Sequence, residues 1–199
     1  FNTSKLELKY DNGRPFSMHK KIEGIPLADK MDELSEEEIK NVCDDIAKFM
    51  YELHNVKFAK DDIFSVKNIG LDLRDFLNEL LVKHVSEDDR KFWKFADTID
   101  KPQCLVHGDF NSSNILLDEN NRVSAIIDFG FSGFGNEYDD IARILSRNCT
   151  DGFKKAITQS YEHYSKGKVN ENILNDKIIE WKNIDQGYIN YMRGIGIYE

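Results

Sequence analysis

Residues 104–130 read CLVHGDFNSSNILLDENNRVSAIIDFG, and this stretch decides the fold. Its first three residues, Cys-Leu-Val, form a short apolar run that is typical of a buried strand. His107 and Asp109 follow this run at once, so the strand is expected to deliver both side chains to a loop. The polar side chains of this loop are therefore the first candidates for a functional site.

A β-hairpin is predicted directly after this loop. Residues 115–117 are apolar, residues 118–121 read Asp-Glu-Asn-Asn, which is typical turn chemistry, and residues 123–127 return as a second strand. Asn114 precedes the outgoing strand and Asp128 follows the returning one, so the hairpin brings the two side chains together. With the carboxylate of the preceding loop they supply a few hard oxygen ligands. Such a set suits a Mg²⁺ ion that keeps waters and binds substrate phosphates.

The composition favours a globular protein with one sizeable core, because 40% of the 199 residues are hydrophobic. Acidic residues outnumber basic ones by 36 to 27, which gives a net charge of −9. Nucleic-acid binding is disfavoured, since phosphate contacts need clustered Lys and Arg. An acidic chain suits a cationic partner, although solubility alone also accounts for such a charge. The sequence has no apolar run of about 18 residues, so no membrane span is expected.

The cysteines predict a cytoplasmic protein, and the start of the chain predicts a fragment. Cys43, Cys104 and Cys149 are widely spaced and odd in number, which predicts reduced thiols rather than disulfides or a zinc site. The chain begins at Phe1, without Met, inside a strand pattern. We therefore expect this sequence to be a fragment of a longer protein.

The first 26 residues predict a second hairpin. Residues 5–10 alternate as a strand, residues 11–13 form a turn, and residues 16–22 are a plausible partner strand. Residues 24–26, Gly-Ile-Pro, break the pattern and are interpreted as a linker. An isolated hairpin is marginal in water, so these strands require further partners.

Helices dominate the rest of the chain. Ser35 and Glu38 form a capping-box pattern before apolar residues at helical spacing, and this helix is expected to end near His54. His54 closes an apolar stripe and is interpreted as a packing residue rather than a ligand. Further helices are predicted over residues 71–85, from Ser86 onward, and near 137–147, 152–165 and 171–192. The order of elements predicts an α+β fold with a mostly helical main domain.

The central stretch resembles a known catalytic loop. Residues 107–114, HGDFNSSN, match the H-x-D-x-x-x-x-N loop of kinase-like phosphotransferases, and residues 128–130 match their metal-binding DFG motif. HGD in place of HRD, with residues 139–142 (DDIA), resembles the branch of aminoglycoside phosphotransferases and choline kinases. The loop and residues 16–27, FSMHKKIEGIPL, are most similar to aminoglycoside 2''-phosphotransferases. A protein kinase is disfavoured because no A-P-E segment follows.

This resemblance implies a protein-kinase-like fold. Residues 1–24 would be the end of an N-terminal lobe and the hinge, and residues 25–199 would be the helical C-terminal lobe with the catalytic hairpin. The phosphate loop and the Lys–Glu pair of such a lobe have no counterpart before Lys5. Because positioning is most of what these enzymes contribute, the chain alone is expected to be weakly active or inactive.

The resemblance also implies roles for individual residues. Asp109 would accept the proton of the acceptor hydroxyl or orient it, while Asn114 and Asp128 would hold Mg²⁺. His107 would brace the loop, and Asp140 would anchor it from the following helix. The alternative is a turn-rich hairpin whose Asp and Asn residues only cap and turn. Matches to four motif positions at fixed spacing favour the phosphotransferase loop over that alternative.

For the nucleotide, ATP or GTP, the resemblance implies a hinge contact and an apolar slot. The backbone from Lys20 to Ile22 would bind the purine, and Leu116 and Ile127 would line its slot. An ordinary edge strand with solvated lysines explains the hinge residues equally well.

For the acceptor, acidic and aromatic side chains are candidates to bind a small cationic molecule. They are Glu137, Asp139, Glu180 and Trp181, with Glu162, Asp185, Tyr188 and Tyr191 as further members. Solvated helix faces and core aromatics are the competing explanation. The overall prediction is a monomeric, Mg²⁺-dependent kinase that phosphorylates an aminoglycoside and gives antibiotic resistance. A kinase for a macrolide, choline or homoserine, and a non-catalytic binding fragment, stay open as alternatives.

Overall fold

A computed structural model of the protein describes residues 7–11, 14–18, 21–57, 104–147, 149–194 and 196. The helices predicted over residues 71–85 and from Ser86 lie outside these residues. None of the helices in the described ranges is long and apolar enough to cross a membrane.

The N-terminal hairpin is confirmed, with different bounds. Strand β1, Glu7–Asp11, pairs antiparallel with β2, Arg14–Met18, and Asp11 lies opposite Arg14. The second strand was predicted over residues 16–22, but it begins at Arg14 and ends at Met18, because the pairing with β1 already includes Arg14. Residues 21–24 form no strand, so Ile22 lies beyond the hairpin.

The segment predicted as a linker at residues 24–26 contains a short strand. Strand β3, Ile25–Pro26, pairs antiparallel with β5, Ile115–Leu117, and β6, Val123–Ile126, completes a three-stranded sheet in the order β3-β5-β6. The linker prediction was therefore wrong for these two residues. Proline has no N–H to donate, and an edge strand is the position in a sheet that tolerates it.

The first long helix begins at the predicted cap. After the short helix α1, Leu27–Lys30, and a 3₁₀ turn at Met31–Glu33, helix α2 spans Glu36–His54. The Ser35 hydroxyl accepts a hydrogen bond from the Glu38 N–H at 3.3 Å, and the Glu38 carboxylate accepts one from the Ser35 N–H at 2.8 Å. The predicted capping box and helix end are both confirmed.

The C-terminal part contains three longer helices that close the core. They are α3, Glu137–Leu145, α4, Asp151–Ser165, and α5, Glu171–Gly194. Helix α2 packs against α4, and α3 packs against α5. The largest fully buried apolar side chains in the described residues are Leu27, Ile46, Met50, Phe110, Ile115, Leu117, Ile141, Ile144, Phe153, Ile157 and Leu174.

The turn of the β5–β6 hairpin is fastened to α2. Asn121 has a left-handed φ of 56° and donates to the Glu38 carboxylate at 2.6 Å. Hydrogen bonds from Ser35 and Asn121 lower the pKa of Glu38 to about 2. Arg122 donates to Asp45 at 2.8 Å. The hairpin that carries the candidate site is thereby held at its far end as well as at its base.

The three cysteines are free thiols, as predicted. Burial raises the pKa of Cys43 and of Cys104 to about 12, and that of Cys149 to about 11. They therefore stay protonated at neutral pH and lack the thiolate that reacts or binds metal.

Candidate active site

A strand pairing that the sequence did not predict shapes the HGD loop. Strand β4, Cys104–Val106, pairs antiparallel with β7, Gly133–Gly135, which sets the loop against the 3₁₀ turn at Phe129–Phe131. Gly108 has a φ of +83°, and a Cβ atom there would overlap the carbonyl oxygen of Phe131. Glycine is required at this position by both its backbone angle and the close approach.

His107 is fully buried and uses both ring nitrogens inside the protein. Its Nε2 bonds the Ile127 carbonyl at 2.9 Å, and its Nδ1 accepts the N–H of Asp109 at 3.3 Å. A carbonyl only accepts, so these contacts assign the ring proton to Nε2. The ring also lies against Phe110 and Phe129, with centroids 5.4 and 4.5 Å away. These contacts support the bracing role over proton transfer.

Asp140 anchors the backbone of the same loop. Its fully buried carboxylate accepts hydrogen bonds from the N–H groups of His107 at 2.9 Å and of Gly108 at 3.1 Å. His54 Nε2 lies 3.2 Å from the same carboxylate, and its Nδ1 lies 2.9 Å from the Tyr161 hydroxyl. The packing role predicted for His54 therefore extends to a hydrogen-bond network that links α2, α3 and α4 to the loop.

The two carboxylate oxygens of Asp109 have different partners. Oδ1 accepts hydrogen bonds from the Arg143 guanidinium, at 2.9 Å from Nε and 2.8 Å from Nη2. Oδ2 lies 3.4 Å from the Asn114 amide nitrogen, which also donates to the Asp109 carbonyl at 3.0 Å. About a quarter of the Asp109 side chain, 24%, stays exposed. The carboxylate is thus held in place and still open to solvent.

Asn114 and Asp128 lie side by side at the base of the hairpin. The Ile127 N–H donates to the Asn114 carbonyl at 2.9 Å, so the next residue, Asp128, emerges beside Asn114. Asp128 is exposed and has a left-handed backbone, with φ 64° and ψ 62°. This conformation is uncommon for a residue other than glycine and is often found at functional sites.

The donor set at this position fits Mg²⁺. Both Nδ2 hydrogen bonds of Asn114 go to Asp109, which leaves the amide oxygen for a ligand. Within the described ranges, neither that oxygen nor the Asp128 carboxylate has a hydrogen-bond partner. The same part of the chain has no group of three or more His, Cys, Asp or Glu side chains placed to hold a metal. A site of two oxygen donors suits an ion that keeps waters and binds phosphates.

Arg143 is the site residue that the sequence reasoning missed. It lies one helical turn after Asp140 on α3, and only 5% of it is exposed. Its Nη1 donates to both oxygens of Asp185 at 2.9 and 2.8 Å, and its guanidinium lies 4.7 Å from the centroid of the Trp181 ring. No local sequence signal marks Arg143, because the partners of its guanidinium, Asp109 and Asp185, lie 34 and 42 positions away.

Two of the predicted acceptor residues are joined by a lysine. Lys177 Nζ lies 3.0 Å from Asp139 Oδ1 and 3.1 Å from Glu180 Oε2. Burial alone would lower the pKa of Lys177, but the charges of the two carboxylates outweigh it and the pKa is raised. Glu137 lies in the first turn of α3 and is half-buried. Asp139 and Glu180 are therefore close together and already carry an internal cation.

The remaining acceptor candidates are less well placed for a ligand. Glu162 accepts hydrogen bonds from Lys168 Nζ at 2.8 Å and from the Val169 N–H at 3.0 Å. Asp185 accepts hydrogen bonds from Arg147 as well as from Arg143. Tyr188 is 40% exposed, and the side chain of Tyr191 lies outside the described residues.

The residues predicted for the nucleotide slot lie on or near the β3-β5-β6 sheet. Leu116 on β5 is 6% exposed, and an added Cβ at Gly24 would lie 2.8 Å from the Leu116 Cβ. Ile22 and Ile127 are half-buried. Lys20 lies outside the described residues. The chain segment after the predicted hinge therefore runs close along β5.

Comparison of the sequence with known families gives one clear match. Residues 6–169 match the family model described as APH, phosphotransferase enzyme family. Two curated relatives, the aminoglycoside 3'-phosphotransferases of Escherichia coli and Salmonella typhimurium, are each 30% identical over 133 residues. The match covers 59% of this chain and 46% of each relative. The chain thus spans about half the length of the curated relatives it matches.

Solved structures show the same fold. The streptomycin–ATP–APH(2'')-IIa ternary complex has a TM-score of 0.63 at 24% sequence identity. The alignment covers 94% of this chain and 69% of the chain in that structure. The GDP complex of wild-type aminoglycoside 2'-phosphotransferase-IIIa has a TM-score of 0.70 at 20% identity, with coverage of 98% and 74%. The predicted α+β, protein-kinase-like fold is confirmed by these similarities.

Proposed function

The chain belongs to the phosphotransferase enzyme family APH, and from this membership we propose that the protein moves the γ-phosphoryl group of ATP or GTP to a hydroxyl of an aminoglycoside antibiotic. The observation that carries the proposal is the arrangement of the HGD loop. Asp109 is fixed beside Asn114, which in turn lies beside Asp128, and the loop beneath them is locked by buried hydrogen bonds.

In this proposal Asp109 receives the acceptor hydroxyl. Its partly exposed carboxylate orients the hydroxyl for in-line attack on the γ-phosphorus and takes its proton as the new O–P bond forms. The leaving nucleoside diphosphate keeps the electrons of the broken bond. His107 and Asp140 do not touch the reactants and act by holding the loop backbone.

Mg²⁺ is the proposed metal, and Asn114 and Asp128 would hold it. When bound, the ion neutralises charge on the nucleotide phosphates. The fit rests on the free amide oxygen of Asn114 and the exposed carboxylate of Asp128. Asp128 follows β6 with a left-handed backbone, and the residue is exposed to solvent.

The nucleotide is proposed to lie along β5, with its purine near Leu116 and Ile127 and against the backbone of Lys20 to Ile22. Structural relatives described as ATP, ADP and GDP complexes support a nucleoside triphosphate donor. We propose residues 1–24 as the end of the N-terminal lobe with the hinge, and residues 25–199 as the C-terminal lobe.

The acceptor is proposed to lie over α3 and α5. Glu137, Asp139 and Glu180 supply negative charge, and Trp181 supplies an aromatic face. Curated relatives named aminoglycoside 3'-phosphotransferases and structures described as streptomycin and gentamicin complexes support a cationic aminoglycoside. A monomer in the cytoplasm is part of the same proposal.

Turnover with a defined acceptor panel tests this function. The complete reading frame that encodes the chain is expressed, and phosphate transfer from radiolabelled ATP and GTP is measured with Mg²⁺. The panel contains gentamicin, kanamycin, streptomycin, a macrolide, choline and homoserine. Phosphorylation of the aminoglycosides that is abolished by EDTA is expected. Transfer only to the macrolide, choline or homoserine would show that the proposed substrate class is wrong. No transfer to any acceptor would contradict the proposed reaction.

A further inference from the structure

We infer that Arg143 is a positioning residue that gives the two carboxylate oxygens of Asp109 different tasks. Its guanidinium holds Oδ1, and this leaves Oδ2 as the oxygen that meets the acceptor hydroxyl. The inference rests on the proposed function for the identity of the reaction. It adds a residue that lies outside the catalytic loop and the DFG motif.

The two carboxylate oxygens of Asp109 have unequal contacts. Nε and Nη2 of Arg143 both donate to Oδ1, at 2.9 and 2.8 Å. Oδ2 has only the long 3.4 Å contact with the Asn114 amide, on the side of the proposed metal ligands. Because Oδ1 already accepts two charge-assisted hydrogen bonds, a hydroxyl that approaches the metal side meets Oδ2.

The side chain of Arg143 is buried and bound to other residues of the protein, so it is not available to a ligand. Its side chain is 7% exposed, its Nη1 is bound to Asp185, and its plane lies over Trp181. An arginine suits this place better than a lysine, because one planar fork reaches Asp109, Asp185 and the ring face at once. Arg143 therefore ties helix α5 directly to the carboxylate of the loop.

This arrangement changes the role of Asp185. The sequence suggested it as a site for a cationic acceptor, but its oxygens are occupied by Arg143 at 2.8–2.9 Å and by Arg147 at 2.9 Å. Its effect on the reaction passes through Arg143 and from there to Asp109. Asp185 is thus a second positioning residue rather than an acceptor contact.

Steady-state kinetics of the complete enzyme test the inference with Arg143→Gln, Arg143→Lys and Asp185→Asn. Arg122→Gln is the matched control, since Arg122, next to the hairpin turn, forms an arginine–carboxylate pair with Asp45 of α2. Arg143→Gln is expected to lower kcat roughly a hundredfold, while the KM of the nucleotide stays within about threefold. Arg143→Lys restores part of kcat, Asp185→Asn causes an intermediate loss, and Arg122→Gln leaves kcat unchanged.

A purely structural role predicts a different pattern. It lowers the melting temperature and the folded fraction, but kcat per folded molecule equals that of the wild type. That result for Arg143→Gln would overturn the inference. If Arg143→Gln does not fold, the same criterion is applied to Asp185→Asn.

Crystal structures of wild type and Arg143→Gln give a readout that needs no turnover. The expected result is an Asp109 side chain that leaves its rotamer and its contact with Asn114. An unchanged Asp109 rotamer would contradict the positioning role. If the wild-type enzyme phosphorylates no acceptor, the proposed function fails, and this comparison still decides whether Arg143 positions Asp109.

Discussion

The buried carboxylate of Asp140 accepts a hydrogen bond from the backbone N–H of His107 at 2.9 Å, although the two residues are 33 positions apart. The same carboxylate receives the N–H of Gly108 and lies beside His54. One side chain on α3 thus fixes two consecutive peptide groups at the start of the loop. The geometry of the candidate site depends on this anchor.

Replacing Asp140 by Asn is expected to destabilise the protein by about 3 kcal/mol or more, because an amide cannot accept through both ends. One of its NH₂ hydrogens would face a buried N–H donor. Urea unfolding measures the change. Asp44→Asn is the control, since Asp44 accepts one hydrogen bond, from the half-buried Tyr164 at 2.9 Å, and should cost less than about 1 kcal/mol. Equal losses for the two variants would contradict the anchoring role.

Gly108→Ala tests the close approach of the loop to the DFG segment. We expect a loss of more than about 1 kcal/mol in the free energy of unfolding, because the new Cβ overlaps the Phe131 backbone at a φ of +83°. Turnover should fall as well, since the next residue is Asp109. Gly167→Ala is the control, because the nearest atom to its added Cβ is 3.8 Å away. A fully stable and active Gly108→Ala protein would show that this packing is not required.

The stability of the protein should depend on the charge of Asp185. Burial would raise the pKa of Asp185, but hydrogen bonds from Arg147 and the charges of Arg143 and Arg147 lower it below its ordinary value of 3.8. A carboxyl whose pKa is lower in the folded state stabilises the fold above its unfolded pKa. That contribution is lost as the pH falls through the folded value.

This dependence can be measured by urea unfolding of wild type and Asp185→Asn from pH 7 to pH 3. The wild type should be more stable at neutral pH, and its advantage should shrink once the pH falls below about 4. A difference that stays constant over the whole range would mean that the ion pairs with Arg143 and Arg147 do not lower the pKa.

Lys177 is expected to weaken the binding of a cationic acceptor. Its ammonium group lies within 3.1 Å of both Asp139 and Glu180, so it neutralises charge that an acceptor would otherwise meet. Lys177→Gln should lower the KM of an aminoglycoside about fivefold and leave the KM of the nucleotide unchanged. Lys168→Gln, which removes the partner of Glu162, should change neither value. An aminoglycoside KM that rises or stays the same for Lys177→Gln would remove Asp139 and Glu180 from the acceptor site.

The parts of the fold that were predictable have local causes. A few neighbouring residues determine the capping box of Ser35 and Glu38, and the same is true of the turn before Arg122. The structure contains both features. The approach of Asn114 and Asp128 follows from the hairpin alone. His107 and Asp109 were found because their spacing matches a catalytic loop, which is also a local pattern.

The parts that were missed depend on contacts between distant positions. Strand β7 reads Gly-Phe-Gly, which carries no strand signal, and it forms because β4 offers an open edge. Ile25–Pro26 pairs with β5 across 90 residues of sequence for the same reason. Arg143 looked like an ordinary helix residue, since its partners Asp109 and Asp185 are 34 and 42 positions away.

The central claim is that the Asp109 carboxylate receives the acceptor hydroxyl, and Asp109→Asn tests it most directly. The matched control is Asp118→Asn, because Asp118 accepts hydrogen bonds in the hairpin turn and an amide oxygen can replace it there. In the complete enzyme, Asp109→Asn should lower kcat at least about a hundredfold with a normal melting temperature, and Asp118→Asn should keep wild-type kcat. A well-folded Asp109→Asn enzyme that turns over within a few fold of wild type would contradict the account.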